Sequence, residues 1–223
     1  TFGKTGCRRS TPGQYVASDP KGRAVMIAAI EKRKLVYVLN RDATGKPTIA
    51  SPLEAHRART ITFDVIGLDN GYDNPMFATL ELQYLEVEDM PDKDSEQPQV
   101  EKQLAYYELD LGLNHVSRRW ASTTLRSACC LAAVPGGADG PGGVLVGGED
   151  WIEYLHESMP QFANSSGGST LTRMVCPIPR RSLHPPDKGT LITAITVHRQ
   201  KKSKFFALAQ SELGDVYKLT LQL

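Results

Sequence analysis

The sequence predicts an all-β protein that forms about four blades of a β-propeller, within a larger propeller of the seven-bladed, WD40-like type. Three observations support this class. The apolar residues occur in short runs separated by turns, almost no segment keeps the spacing of a helix, and one strand–hairpin unit recurs four times along the chain. Each unit supplies the strands of one four-stranded antiparallel sheet, which is the blade of a propeller.

The repeated unit is a β-hairpin that follows one apolar strand. In its clearest copy, Tyr217, Leu219 and Leu221 alternate with polar residues, because successive side chains of a strand point to opposite faces. The predicted hairpins pair residues 24–30 with 35–40, 76–82 with 104–109, 143–146 with 151–155, and 205–209 with 215–223. The preceding strands are placed at residues 15–17, 61–66, 129–134 and 191–197, and in three units a weaker strand follows.

The inner strands favour a propeller over a β-sandwich, the alternative that also fits the number of strands. Residues 24–30 are almost continuously apolar, which is typical of a sheet that is covered on both faces. Stacked blades cover each sheet in this way, and a sandwich does not require a hairpin unit to recur. The units are irregularly spaced, so we expect no regular WD-type repeat and assign the irregularity to loops.

The whole chain, residues 1–223, is interpreted as part of one β-propeller domain. Because it begins at Thr1 rather than Met, we expect a piece of a longer protein. Residues 86–101 are acidic and contain two prolines, and residues 158–170 are rich in Ser and Gly, so both are predicted to be flexible loop insertions. Residues 134–143 connect two apolar strands, and their glycines predict a tight turn with positive φ angles.

Charge and cysteine content limit the classes of partner. The chain has 26 Lys and Arg residues against 25 Asp and Glu residues, a formal net charge of +1. A primary nucleic-acid-binding surface would need clustered basic side chains, so any RNA contact is expected to be indirect or minor.

The four cysteines have no zinc-site spacing and are predicted to be reduced thiols. No apolar run approaches the roughly 20 residues that span a bilayer, so no membrane contact is expected.

No catalytic, cofactor-binding or metal-binding residue is predicted. Gly3, Lys4 and Thr5 match the end of a phosphate-binding loop, but the helix that such a loop requires does not follow. The five histidines lack metal-site spacing, and no Gly-x-Ser-x-Gly nucleophile elbow is present. Aromatic residues recur at matching positions of the units, which favours core packing over base stacking: Tyr37, Tyr106, Tyr107, Trp151, Tyr154 and Tyr217. An enzyme with acidic or metal chemistry in the channel of the propeller remains an alternative.

Several segments together resemble a known family. They are FGKTGCRR at residues 2–9, DPKGRAVM at 19–26, EKRKLVYVLNRD at 31–42, SPLEAH at 51–56, NPMF at 74–77, YELDLGLNH at 107–115, VPGG at 134–137, DGP at 139–141 and CPIPRR at 176–181. In this order they resemble the family of splicing factor 3b subunit 3, across nearly the whole chain. The resemblance is carried by long matches, so chance similarity is a poor explanation.

The resemblance implies a nuclear protein with three β-propellers, of which this chain is part of the first. It implies a non-catalytic scaffold of the SF3b complex in the U2 snRNP, which acts in branch-site recognition during pre-mRNA splicing. The expected partners are the SF3b helical-repeat (HEAT) subunit and small SF3b subunits. The alternative within binding proteins is an adaptor of a cullin ubiquitin ligase of the damaged-DNA-binding protein type.

Four polar residues are predicted to contact a protein partner. Arg180 and Arg181 follow an apolar segment, and Asn114 and His115 lie where a turn meets a strand. All four are expected to be exposed at strand edges. The family motifs include these residues but do not themselves define which side chains face a partner.

Overall fold

The computed structural model describes residues 14–84, 101–156, 172–182, 188–200 and 204–221. Within these ranges the chain forms sixteen β-strands and no helix, which confirms the all-β prediction. The strands form four antiparallel sheets that divide between two compact units. Unit 1 contains residues up to 67 and residues 72–126, and unit 2 contains residues 68–71 and 127–223. The predicted loop insertions lie outside the described residues, except for Glu101.

The first sheet of unit 1 is built around the hairpin predicted at residues 24–40. Its strands are β1 (Gln14–Ser18), β2 (Ala24–Ala29), β3 (Lys34–Arg41), β4 (Pro47–Ile49) and β5 (Leu53–Glu54). The order is β1-β2-β3-β4, and the short β5 also pairs with β3. In the central hairpin, Val25 pairs with Tyr37 and Ile27 pairs with Leu35. The weaker outer strand is therefore present as two short pieces.

The second sheet of unit 1 has four strands in sequence order. They are β6 (Thr60–Leu68), β7 (Met76–Gln83), β8 (Lys102–Asp110) and β9 (His115–Thr124). The β8–β9 pairing shifts register between Tyr106 and Tyr107, which is the signature of a β-bulge. Tyr106 stacks on Trp120 at a ring-centroid distance of 4.0 Å.

Unit 2 contains a four-stranded and a three-stranded sheet. The first is formed by β10 (Cys130–Ala133), β11 (Val144–Gly147), β12 (Trp151–His156) and β13 (Thr172–Pro177). The second is formed by β14 (Ile192–Arg199), β15 (Phe205–Ser211) and β16 (Val216–Leu219). The predicted strand over residues 215–223 is shorter in the structure, although Tyr217, Leu219 and Leu221 do share the face that packs on the core.

Each unit has its own apolar core. In unit 1 the side chains of Met26, Val36 and Phe77 are completely buried. In unit 2 the core includes Ile152 and Tyr154 from the third sheet, together with Ile192 from the fourth. Burial of one such large apolar side chain contributes about 1.5–3 kcal/mol. The predicted core aromatics are buried or pack against a core: Tyr37, Tyr106, Tyr107, Trp151, Tyr154 and Tyr217.

The glycine-rich connection between β10 and β11 has the predicted geometry. Gly137, Gly142 and Gly143 take positive φ angles of 63°, 77° and 93°. Gly136 has a different requirement, since a Cβ atom there would lie 1.8 Å from the carbonyl oxygen of Asp69. Conformational freedom and close backbone approach therefore both require glycine in this connection.

Candidate protein-interaction sites

The turn between β8 and β9 presents Asn114 and His115 at an end of unit 1. Asp110 Oδ1 accepts hydrogen bonds from the backbone N–H groups of Gly112 and Leu113, each at 2.9 Å. Asn114 then takes a φ of 50°, a left-handed conformation that Asn tolerates better than most residues. His115 is the first residue of β9 and is exposed, like Asn114. The turn also leaves Leu113 78% exposed.

The β6–β7 loop lies beside this turn. Asn74 Nδ2 donates to Glu108 Oε1 at 3.0 Å, and Asn74 Oδ1 accepts from the Leu111 N–H at 3.4 Å. In the same loop Tyr72 is 91% exposed. We call the group formed by Tyr72, Leu111, Leu113, Asn114 and His115 the turn surface. Aromatic and apolar side chains at an exposed loop end are typical of protein-binding surfaces.

The β1–β2 turn supports the turn surface from the other side. Arg23 donates to Asp19 Oδ2 at 2.9 Å and to Asp19 Oδ1 at 3.0 Å, and Asp19 is almost fully buried. The same guanidinium donates to the carbonyl oxygens of Tyr72 and Asp73. This pairing raises the pKa of Arg23, chiefly through its hydrogen bond to Asp19. The ammonium group of Lys21 lies 5.0 Å above the Tyr72 ring. The exposed loop is therefore anchored by a charged side chain.

Arg180 and Arg181 follow β13 in unit 2 and form ion pairs with two turns. Arg180 pairs with Asp150 in the β11–β12 turn. Arg181 donates to Asp215 in the β15–β16 turn, at 2.7 Å to Oδ2 and 2.6 Å to Oδ1. This two-point contact lowers the pKa of Asp215 and raises that of Arg181, in both cases chiefly through the side-chain hydrogen bond. Bidentate pairing of this kind fixes the orientation of the guanidinium.

The two arginines are exposed, as the sequence predicts, with side-chain exposures of 47% for Arg180 and 52% for Arg181. The structure adds a second role, because both arginines hold turns of their own unit in place. Asn114 and His115 come together in unit 1, and Arg180 and Arg181 come together in unit 2. Contact of any of the four with a partner stays a prediction.

The sequence does not predict a buried polar cluster that lies inside unit 1. Glu81 Oε1 lies 3.0 Å from Lys34 Nζ, and it accepts hydrogen bonds from the hydroxyl groups of Thr79 at 2.7 Å and Tyr107 at 2.8 Å. Burial lowers the pKa of Lys34 despite the nearby carboxylate, and burial also raises the pKa of Tyr107. The Lys34 and Glu81 side chains are 0% and 1% exposed. No substrate can reach them, so the cluster acts on the fold.

The sequence predicts no metal site, and the groups that could form one are the acidic residues, histidines and cysteines. Across residues 14–84, 101–156, 172–182, 188–200 and 204–221, no group of three or more His, Cys, Asp and Glu residues is placed to hold a metal ion. The Cys129 thiol donates to the Ile192 carbonyl oxygen at 2.9 Å, Cys130 is buried and Cys176 is exposed, and Cys7 lies outside the described residues. The same part of the chain has no helix long and apolar enough to cross a membrane.

An open apolar cavity of about 440 Å³ lies in unit 2 between its two sheets. Its described lining contains one thiol, Cys176, and a tyrosine whose hydroxyl donates to the Gly142 carbonyl at 2.8 Å. Burial raises the pKa of that residue, Tyr154, to about 12.

Four antiparallel sheets with exposed turns define this chain as part of a β-propeller. It belongs to the RSE1/DDB1/CPSF1 first β-propeller family, whose model matches residues 1–223. The chain is 52% identical to spliceosome-associated protein 130 A of Arabidopsis thaliana, over 99% of this chain and 17% of the relative. It is 49% identical to pre-mRNA-splicing factor rse1 of Emericella nidulans and 48% identical to splicing factor 3B subunit 3 of Danio rerio, each over 100% of this chain. The chain spans 17% to 18% of the length of these relatives.

Proposed function

We propose that the protein containing this chain is a non-catalytic scaffold of the SF3b complex of the U2 snRNP, and that it acts in the nucleus in pre-mRNA splicing. The observation that carries the proposal is the identity of about half the residues, over the whole chain, with relatives that are named as splicing factors. The proposed partners are the helical-repeat subunit and the small subunits of SF3b, with RNA contact indirect or minor. A cullin ubiquitin-ligase adaptor is less well supported, because the same relatives carry splicing names.

The arrangement of the fold supports binding rather than catalysis. Several exposed groups lie on turns that buried strands hold in place, as on the turn surface of unit 1. Loops on a rigid scaffold commonly carry recognition. We propose that partners bind at the turn surface and at the pair formed by Arg180 and Arg181.

Affinity purification of the full-length protein from nuclear extract tests this function. Mass spectrometry should identify SF3b subunits among the bound proteins, and U2 snRNA should be present. A set of partners that contains a cullin and lacks the snRNA would contradict the splicing proposal and favour the adaptor.

Variants of the same protein test the proposed contact sites. Replacing Tyr72 and Leu113 by Ser should reduce recovery of at least one protein partner, because the exposed apolar area of the turn surface is lost. Replacing Arg180 and Arg181 by Ala should do the same for the second site. Ile49→Ser is the matched control, because Ile49 is 56% exposed on β4 and belongs to neither site. Unchanged recovery from both altered proteins would contradict these sites while leaving the scaffold function standing.

A further inference from the structure

The end of unit 1 at the β2–β3 turn carries an excess of basic side chains. We call Lys32, Arg33, Arg57 and Arg59 the basic end. Lys32 and Arg33 are exposed, and no carboxylate in the described part of the chain lies within ion-pair distance of either. The nearest acidic residue along the chain, Glu31, accepts a hydrogen bond from the Tyr84 hydroxyl. The excess rests on Lys32 and Arg33, and it is local because the net charge of the whole chain is only +1.

Backbone hydrogen bonds hold the basic end in a fixed shape. The Lys32 N–H donates to the Thr60 carbonyl at 2.9 Å, and the Arg57 N–H donates to the Lys32 carbonyl at 3.0 Å. The Tyr84 N–H donates to the Arg59 carbonyl at 3.0 Å. Lys32 and Arg59 have positive φ angles of 61° and 54°, which non-glycine residues adopt only where the surroundings impose them. The basic side chains therefore project from a preorganised backbone, which lowers the entropic cost of binding.

Basic side chains also continue into the unit behind this surface. Glu81 is the carboxylate of the buried cluster, and it faces both Lys34 at 3.0 Å and Arg118 Nη2 at 3.7 Å. Burial is the main cause that lowers the pKa of Lys34, and the positive charges of Arg118 and Arg57 act in the same direction. One carboxylate therefore faces two basic side chains behind the basic end.

We propose that the basic end of unit 1 is a docking site for an acidic segment of a protein partner. The inference rests on the proposed scaffold function and adds the chemistry of one partner to it. Carboxylates of such a segment would pair with Lys32 and Arg33, and Arg57 would contribute from behind while it donates to Gln83 Oε1 at 3.0 Å. Charge complementarity at exposed sites of this kind increases the rate of association and selects the partner.

The surroundings of the basic end favour a peptide over RNA. Proteins that bind single-stranded RNA combine basic grooves with aromatic rings on which bases stack. At the basic end, Tyr84 is half-buried and its hydroxyl is bound to Glu31, which also places a negative charge beside the cations. Glu54 adds a second exposed carboxylate on β5. The carboxylates of Glu31 and Glu54 would repel the continuous negative charge of a phosphate backbone. The acidic side chains of a peptide are separate and can be arranged around these two carboxylates.

The test measures binding of a fluorescein-labelled, glutamate-rich decapeptide to the full-length protein by fluorescence anisotropy, at about 0.1 M salt. The same peptide with Gln in place of Glu is the control ligand. The double variant Lys32→Glu, Arg33→Glu should weaken binding at least about tenfold, because two attractions become repulsions. The double variant Arg41→Glu, Lys46→Glu makes the same change of charge at the other end of β3, at two exposed residues that belong to neither proposed site. That end lies roughly 25 Å away along β3, beyond the Debye length of about 10 Å.

Binding of the Glu peptide but not of the Gln peptide, with loss only in the Lys32 and Arg33 variant, supports the proposal. Equal losses in both double variants, or no binding of the Glu peptide, overturn it. Preferential binding of a labelled single-stranded RNA through the same two residues assigns the surface to nucleic acid and also overturns it.

A third variant replaces the six acidic residues between positions 86 and 96 by amides. If peptide binding appears only in that variant, the chain's own acidic residues occupy the surface and the partner proposal is wrong. None of these outcomes depends on recovery of splicing partners, so the scaffold function is tested separately.

Discussion

Lys34 and Glu81 show how one pair of residues can control the stability of unit 1. Both side chains are essentially inaccessible to solvent, and their charged atoms are 3.0 Å apart. Taking two charges out of water is unfavourable, and their attraction offsets this only while both are present. Glu81 also accepts hydrogen bonds from the hydroxyl groups of Thr79 and Tyr107. Its carboxylate therefore orients these two side chains together with Lys34.

We expect Glu81→Gln to destabilise the folded protein by about 3–5 kcal/mol, because it leaves the Lys34 ammonium buried without its carboxylate. The measurement is the free energy of unfolding in urea. The double variant Lys34→Met, Glu81→Leu should regain most of the loss, since it removes both buried charges. Glu54→Gln, at an exposed glutamate of β5, is the control. A loss below about 1 kcal/mol for Glu81→Gln would show that Lys34 is held as a neutral amine.

At the scale of elements, Gly45 in the β3–β4 turn and Gly136 in the β10–β11 connection show two different reasons for using glycine. Gly45 has a φ of 80° with no atom near its missing Cβ, so only its backbone conformation requires glycine. Gly136 is limited instead by the Asp69 carbonyl oxygen. A left-handed conformation costs a non-glycine residue about 1–2 kcal/mol, whereas a clash with backbone forces the structure to move.

Gly136→Ala should therefore lower the free energy of unfolding by more than about 2 kcal/mol, because the Asp69 carbonyl and the β10–β11 connection must separate. Gly45→Ala should cost about 1 kcal/mol, as the price of its φ angle alone. Urea unfolding of the two variants against the unaltered protein gives both values. Equal losses would mean that the connection moves aside without resistance.

The sequence predicts the strands well because their signal is local. The alternation of Tyr217, Leu219 and Leu221 and the apolar run of β2 depend only on which faces are buried. The hairpins of all four sheets were accordingly placed within a few residues of their observed ends. The strand over residues 215–223 was predicted too long, because alternation in side-chain burial continues through Leu221 after strand pairing stops at Leu219.

The candidate sites are harder to predict, because they depend on contacts between distant residues. Asn114 and His115 are exposed as predicted, but their neighbour Tyr72 joins them only through the folding of the β6–β7 loop. Arg181 meets Asp215, 34 residues away, and Glu81 meets Lys34 across two sheets. No periodic pattern encodes such pairs. The family motif at residues 31–42 does contain Lys32 and Arg33, but the sequence alone does not show that Arg57 and Arg59 lie beside them.

For the molecule as a whole, the sheets repeat one pattern of burial. The second strand of each sheet has a neighbouring strand on both sides, and β2, β7, β11 and β15 carry many of the most buried residues. Their backbone N–H groups are therefore shielded from solvent by pairing and by packing. Short outer strands such as β4 have only one neighbour and are exposed.

Amide hydrogen exchange should reproduce this pattern four times along the chain. We expect the slowest exchange in β2, β7, β11 and β15 and faster exchange in β4, β5 and β13, because outer strands open at lower free energy. Exchange followed by peptide-level mass spectrometry measures this directly. Protection that is uniform within each sheet would instead mean that every sheet opens as a single cooperative unit.

The boundary between unit 1 and unit 2 is not a single point along the sequence. Residues 68–71 belong to unit 2, although the chain on both sides of them belongs to unit 1. Within those four residues, Asp69 accepts a hydrogen bond from Arg199 Nη2 at 2.7 Å, and its carbonyl lies against Gly136. A genetic exchange that joined residues 127–223 to a foreign sequence would leave Arg199 without this carboxylate. Unit 2 is therefore not encoded by one continuous segment, and a transferred segment would need residues 68–71 as well to be complete.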